Sequence, residues 1–265
     1  MRQPSLFIPH GGGPCFFLEA DGSCPPVWQP MRDYLAAMLS SLPERPNAIL
    51  IVSGHWEEAA FTVNSGARPA LLFDYHGFPE HTYRLRWEAP GAPSLATRAK
   101  QLLEAAGFPA GEESERGWDH GVFVPMKVAV PDAEIPLLQL SLRADLDPAA
   151  HIRAGHALAP LRDEGVLIVG SGMSFHNMRT LGADVTEQAD RFDDALSAAA
   201  TDPDPAERRA RVARWAELPL ARFAHPREEH LLPLMVALGA GGDDPARHDL
   251  RDHVLGWTVS AFRFG

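Results

Sequence analysis

The sequence predicts a single α/β domain with a central, mostly parallel sheet flanked by helices, and three features predict it. Short β-branched runs alternate with longer helical patterns, as in a sheet covered on both faces. Glycine-rich turns close several of those runs. The runs are almost unbroken in apolar character, as strands buried on both faces are. In chain order, Leu6-Phe7-Ile8 comes first and leads into Gly11-Gly12-Gly13-Pro14. Val27 to Leu42 reads as a helix, with Met31, Leu35, Met38, Leu39 and Leu42 near helical spacing. Ala48-Ile49-Leu50-Ile51-Val52 reads as a buried strand ending at Ser53-Gly54, and Leu95 to Ala106 as a helix stopped by Gly107. Ile135 to Leu140 reads as a strand, and Pro148 to Leu161 as a helix with proline in its first turn. Val166 to Val169 is another strand, closed by a tight turn at Gly170-Ser171-Gly172. Thr186 to Ala200, Pro205 to Glu217 and Glu228 to Leu238 read as helices, the last stopped by Gly239; Trp257 to Phe262 alternates like a final strand. Proline and glycine are spread along the chain rather than pooled into a hinge, so residues 1–265 are expected to form one domain.

Composition narrows the function. A formal net charge of -11 argues against nucleic acid and anionic membrane surfaces, which demand a surplus of Lys and Arg. The apolar start before Pro9 is too short for a secretory core, and no segment approaches the roughly 18 apolar residues of a membrane span. A cytoplasmic protein is the expectation. Cys15 and Cys24 are too few for a disulfide framework and are expected to be free thiols. The acidic and basic runs Glu112 to Arg116 and Glu207 to Arg214 read as solvated faces. Oligomerisation is left open.

Histidine stands out, with 12 in 265 residues. His10 follows the first apolar run, His55 the second, and His176 comes shortly after Val166 to Val169. In open α/β sheets the carboxyl ends of the strands line the ligand crevice, so a metal site is expected there. His120, in Gly117-Trp118-Asp119-His120-Gly121, opens an apolar helix. Either a neighbouring acid orients its ring or Asp119 merely caps the helix. His230 lies near the start of a helix as a ligand or an exposed end residue. His76 and His81 flank a loop that could line a pocket, while His151, His156, His248 and His253 read as surface residues and His225 is undecided. Imidazole suits zinc, iron, copper and nickel, and catalytic sites keep an open position beside about three protein ligands. Five candidate imidazoles would leave two free for acid–base work near neutral pH. The chain has no Gly-x-Ser-x-Gly elbow, and its glycine triplet lacks the Lys-Ser/Thr ending of a phosphate loop.

Six segments carry a family resemblance. They are Pro9-His10-Gly11-Gly12-Gly13-Pro14, Ser53-Gly54-His55-Trp56, Asp74-Tyr75-His76-Gly77-Phe78-Pro79, Trp118-Asp119-His120-Gly121, Gly170-Ser171-Gly172-Met173-Ser174-Phe175-His176-Asn177 and Glu229-His230-Leu231-Leu232-Pro233-Leu234. Together, and in that order, they resemble the DOPA-dioxygenase-like branch of the class III extradiol ring-cleavage dioxygenases, related to the catalytic subunit of protocatechuate 4,5-dioxygenase. The resemblance implies an enzyme that opens a small aromatic diol, DOPA-like or another substituted catechol, with both atoms of dioxygen. It implies one divalent metal per chain, Fe(II) for catalysis, held by His10, His55 and His230. It makes His176 the base or proton shuttle, close enough to reach the metal, and has His120 steady the substrate or oxygen. Trp56, Tyr75 and Phe78 become aromatic walls, unless they are ordinary packing. Many extradiol enzymes use two histidines and a carboxylate. Here the third position is His230, with Glu228 and Glu229 adjacent, and an all-histidine set also suits Zn(II) in the isolated protein.

Two other readings compete. A zinc hydrolase would use the same site to activate water and would consume no oxygen. A non-enzymatic binding protein of the same fold would form no product, and losing its metal would abolish no turnover.

Overall fold

The computed structural model describes residues 1–265. Eight strands form one sheet: β1 (Ser5–Pro9), β2 (Ala48–Glu58), β3 (Phe61–Asn64), β4 (Ala110–Glu113), β5 (Leu137–Arg143), β6 (Val166–Gly172), β7 (Ala246–Val254) and β8 (Trp257–Phe264). Nine helices surround it: α1 (Gln29–Ala36), α2 (Pro93–Ala105), α3 (His120–Ala129), α4 (Pro148–Leu158), α5 (Pro160–Asp163), α6 (Thr186–Ala200), α7 (Pro205–Ala213), α8 (Ala221–Ala224) and α9 (Leu232–Gly241). The strand order is β4-β3-β5-β2-β6-β1-β8-β7. Its centre, β5-β2-β6-β1, is parallel, as the apolar runs require, and β8 and β7 add an antiparallel margin. One continuous hydrophobic cluster runs through the molecule, with no second core.

The strands carrying the first three histidine motifs, β2, β6 and β1, are neighbours in the sheet. All three therefore end on the same edge. β2 runs past the predicted stop at Ser53-Gly54: Ser53 still pairs with Ser171, and the ladder to β5 shifts register between Val52 and Glu57. His55 thus sits inside an irregular strand stretch rather than after a strand.

Gly170-Ser171-Gly172 is the end of β6, not a turn. Glycine there serves close approach: an added Cβ would lie 2.1 Å from Pro233 O at Gly170 and 2.0 Å from His230 O at Gly172. The backbone entering α9 rests directly on this bare strand edge. Likewise Gly239 does not stop its helix but lies inside α9, where a Cβ would meet Ile152 O of α4 at 2.0 Å. The helix ends instead at Gly242, with φ +61°.

Other boundaries differ for local reasons. The helix from Val27 is only α1, because the Ser40 and Ser41 hydroxyls donate back to Ala37 O and Met38 O and the chain tightens there. The helix from Pro148 splits into α4 and α5 at Pro160, which cannot donate to the ladder. β3, β4 and β7 were not expected. β4 and β7 are the sheet's margins, and their polar sequences Ala-Gly-Glu-Glu and Ala-Arg-His-Asp-Leu-Arg-Asp-His-Val lack the apolar signal of central strands.

Candidate metal centre

His10 leaves β1 and donates its backbone N–H to Gly172 O at 3.1 Å, and Gly11 then turns the chain away at φ +75°. His55 comes from β2. His230 ends the loop that enters α9, where its carbonyl accepts from Met173 N at 3.0 Å. His120 is the first residue of α3, and His176 lies four residues beyond β6. All five rings gather on one edge of the sheet.

The Nε2 atoms of His10 and His55 are 3.1 Å apart, and those of His55 and His230 are 3.2 Å apart. His120 lies against His55, with centroids 3.9 Å apart, and His176 stacks on His230 at 3.6 Å with planes 21° apart. Four of the rings meet a polar partner at Nδ1. The Ser171 hydroxyl donates to Gly121 O, so its oxygen accepts from His10 Nδ1 at 3.1 Å, leaving Nε2 bare. Glu229 Oε1 accepts from His230 Nδ1 at 2.9 Å and lies 3.4 Å from His176 Nδ1. Asp74 Oδ1 accepts from both the backbone N–H and Nδ1 of His120, at 2.9 and 2.8 Å.

The acid beside His120 is thus Asp74, not Asp119. Asp119 occupies the cap position of α3 without a side-chain cap bond. Its buried carboxylate accepts instead from Ser53 Oγ, Gln139 Nε2 and Arg116 Nη2. Sequence reasoning also missed Glu229 and Ser171 as partners. A carboxylate one residue before a candidate ligand was the available signal for Glu229.

Three groups bring three metal-ligating atoms within 4.8 Å of one another: His10, His55 and His230; His55, Asp74 and His120; and His176, Glu229 and His230. In the second and third, imidazole N–H groups already point at the carboxylate. Only the first sets three nitrogens face to face with no acceptor between them. A metal with ~2.0–2.1 Å bonds to imidazole needs neighbouring nitrogens roughly 3.0–3.4 Å apart, and the observed spacings fit. Electrostatics agree. Burial, then the neighbouring imidazoles, holds His10 well below the ordinary histidine range, and burial holds His230 there despite Glu229. Burial and His120 lower His55 to about 4. Burial would raise Glu229, but hydrogen bonds from His176 and His230 hold it below the usual carboxylate range. Neutral imidazoles and a fixed anion beside them suit a bound cation.

The predicted aromatic walls separate. Tyr75 is buried, donates to Thr82 O at 2.7 Å and lies T-shaped to His120 with ring centroids 5.9 Å apart; burial raises its hydroxyl to about 12. Phe78 packs on Tyr75 at 5.4 Å and fills the space a Cβ of Gly13 would take. Trp56 donates to Glu58 Oε1 at 2.9 Å beneath Arg116 and stacks on none of the five imidazoles.

The remaining histidines lie outside this cluster. His76 is exposed, and His81 meets Phe17 O at 3.0 Å. His156, His248 and His253 are exposed as expected, but His151 is fully buried. It donates to Asp147 O and accepts from Arg143 N, a polar ring absorbed by two backbone groups. His225 is buried too, donating to Ser174 O at 2.9 Å.

The α/β fold, with three imidazole nitrogens face to face at one edge of its sheet, makes a candidate metal centre. Comparison with known proteins specifies the chemistry. Residues 4–262 match the family described as the catalytic LigB subunit of aromatic ring-opening dioxygenase, so the chain belongs to that family. It is 37% identical over 248 residues to a 4,5-DOPA dioxygenase extradiol of Beta vulgaris, covering 91% of this chain and 88% of that one. It is 35% identical over 250 residues to a protein of the same name in Escherichia coli K12, covering 92% and 88%. The dioxygenase tasH of Hapsidospora irregularis is 35% identical over 279 residues, 99% of this chain and 85% of that one. A crystal structure of an uncharacterised E. coli K12 protein superposes with a TM-score of 0.78 at 31% identity, covering 100% of both chains. The protein is therefore a metal-dependent extradiol ring-cleaving dioxygenase acting on an aromatic substrate with dioxygen.

Proposed function

We propose that His10, His55 and His230 hold the metal, that residues 1–265 act as one catalytic domain, and that the substrate is a DOPA-like catechol. The single observation that carries the ligand assignment is the face-to-face arrangement of the three Nε2 atoms. The substrate class rests on the named relatives and on the Tyr75–Phe78 wall beside His120. A divalent metal held by these three imidazoles would supply Lewis-acid chemistry to the reaction.

The chain's own groups do the rest. His176 Nδ1 faces Glu229, so its Nε2 is the lone pair that takes a catechol hydroxyl proton. The Glu229 carboxylate stabilises the imidazolium while the proton is held there. His120, locked by Asp74, presents Nε2 to the same space and orients the oxygen atoms of the substrate. Tyr75 and Phe78 confine the ring plane, whereas Trp56 serves β2 packing.

Fe(II) is assigned to turnover, and Zn(II) to occupancy in protein purified without iron, since a set of imidazoles accepts both. No helix is long and apolar enough to cross a membrane. Unpaired Cys15 and Cys24 support a reducing cytoplasmic setting, and the net charge of -11 supports a small-molecule rather than nucleic-acid partner. Anaerobic reconstitution with iron, followed by oxygen uptake across a panel of catechols, tests this reading. DOPA-like catechols should give a yellow ring-opened product. Oxygen uptake confined to catechols unlike DOPA would refute the substrate class.

A further inference from the structure

Glu229 faces two ways. Its Oε1 accepts from His230 Nδ1 at 2.9 Å and lies 3.4 Å from His176 Nδ1, an ion-pair spacing, so one oxygen sits beside the Nδ1 atoms of two stacked rings. Its Oε2 lies 3.3 Å from Arg227 Nη1. Arg227 is forked onto Glu57, with both N–O distances 2.6 Å. Glu57 lies in β2 two residues beyond His55, and Arg227 lies three residues before His230. The ion pair therefore bridges the two segments whose Nε2 atoms stand 3.2 Å apart. The same two backbones touch at Gly54, where an added Cβ would lie 3.1 Å from Glu229 O and 3.2 Å from His230 Cα.

We propose that Arg227, clamped by Glu57, is a positioning residue acting through Glu229: it holds the carboxylate so that Oε1 fixes the Nδ1–H tautomer of both His176 and His230. The consequence for metal binding and turnover rests on the ligand assignment above; the tautomer does not. The physical case is one of fixation rather than stability. The Arg227 side chain is 52% exposed, and exposed ion pairs add little to folding. A forked guanidinium does fix direction, however, because two parallel N–H bonds define a plane. Without Arg227, Glu229 Oε2 loses this partner and the carboxylate is free to rotate. His176, held only by the longer 3.4 Å contact, then loses its acceptor first.

The test begins on metal-free protein labelled with nitrogen-15 in histidine, read by long-range proton–nitrogen correlation. Wild type should show His176 and His230 as Nδ1–H tautomers. Arg227→Ala should turn His176 into a mixture while leaving His10, held by Ser171, unchanged. Glu57→Gln, which loosens the fork from the strand side, should shift the same signal in the same direction. Metal affinity and kcat should then fall about 10–100-fold in Arg227→Ala, as for other partners of metal-binding imidazoles. In a Glu229→Gln background, Arg227→Ala should cost nothing further. An unchanged His176 tautomer, or an equal loss in both backgrounds, would overturn the proposal. A wild type that binds no divalent ion would instead defeat the ligand assignment, leaving the tautomer result to judge Arg227 alone.

Discussion

Placing one methyl group at Gly172 should unseat His230 without touching any imidazole. A Cβ there would lie 2.0 Å from His230 O, 3.1 Å from His230 C and 3.2 Å from Phe7 Cε2. Ordinary contact begins near 3.4 Å, so the His230 carbonyl must retreat by about 1.4 Å. That carbonyl also accepts from Met173 N, so its backbone cannot move without loosening that bond. Metal bonds tolerate deviations of only about 0.2 Å. A shift of this size exceeds what the 3.2 Å spacing to His55 Nε2 can absorb. Gly172→Ala should therefore cost about 1–3 kcal/mol of stability through overpacking and weaken metal binding at least ~10-fold. Two companions calibrate it. Gly12→Ala has nothing within 4 Å and should be silent, although Gly12 lies only two residues from His10. Gly170→Ala meets Pro233 O at 2.1 Å, so it should lose similar stability and less metal affinity, its strain falling three residues beyond His230. Competition with a chromophoric chelator and urea unfolding read the two quantities separately. A folded Gly172→Ala protein with wild-type metal affinity would refute the positioning argument.

Other outcomes follow from the same geometry. His55→Ala should lose metal and activity together, whereas His176→Ala should keep metal and lose about 10²–10⁴-fold in turnover; complete metal loss in His176→Ala by elemental analysis would make it a required ligand. Ser171→Ala leaves the His10 N–H unpaired and should weaken metal binding about tenfold, measured by the same chelator competition. Burial lowers His151 and His225 each to about 4, so both stay neutral in the fold while the unfolded chain takes up protons from pH ~6.5 downward. Their contribution is complete above that pH and is lost as pH falls towards 4, about 1 kcal/mol each between pH 7.5 and 5.5. Urea unfolding of His151→Gln should show a shallower pH slope than wild type, and an equal slope would defeat this account. Turnover of a DOPA-like catechol under labelled dioxygen should place both label atoms in the product, with the ring opened outside the two hydroxyl-bearing carbons; mass spectrometry showing cleavage between the hydroxyls would contradict it.

The central strands were legible because β1, β2, β5 and β6 are buried on both faces and so consist of apolar runs. Margins were not, since β4 and β7 carry polar residues for solvent. Glycine was the main source of error. Gly170, Gly172 and Gly239 sit where breakers are expected, yet each is inside an element because another backbone passes within contact of its absent Cβ. Packing of that kind leaves no periodic trace. The five histidines of the cluster could be gathered from their positions after apolar runs and at helix starts. Asp74 could not be paired with His120, nor Glu57 with Arg227, because the first contact spans 46 residues and the second 170. His151 was misplaced for a simpler reason: a polar-looking helix, Pro-Ala-Ala-His-Ile-Arg, hides a ring that satisfies two backbone groups at once.

The partners of Nδ1 also distinguish four of the five rings and support the different roles proposed for them. His10 is backed by a neutral hydroxyl, which orients the ring but offers no charge to balance an imidazolium, and its ring is fully buried. Such a ring is suited to remain a neutral ligand. His120 and His176 are backed by carboxylates, Asp74 and Glu229, which can balance the charge when a proton arrives, as the aspartate of a catalytic triad does. His230 shares Glu229 with His176 but holds the shorter contact, 2.9 against 3.4 Å, and faces the bare nitrogen of His55. On the ligand assignment proposed above, the closer carboxylate would strengthen His230 as a donor to a metal, while His176 has only the longer contact. On the proposed assignment, the role of each of these rings follows the acceptor behind it and its depth. Exchanging Ser171 for Asp should accordingly put an uncompensated anion behind His10 when no metal is bound, and so destabilise the metal-free protein more than the metal-loaded one. Thermal unfolding with and without zinc measures that difference, and equal shifts in Tm would show that the hydroxyl's neutrality is incidental.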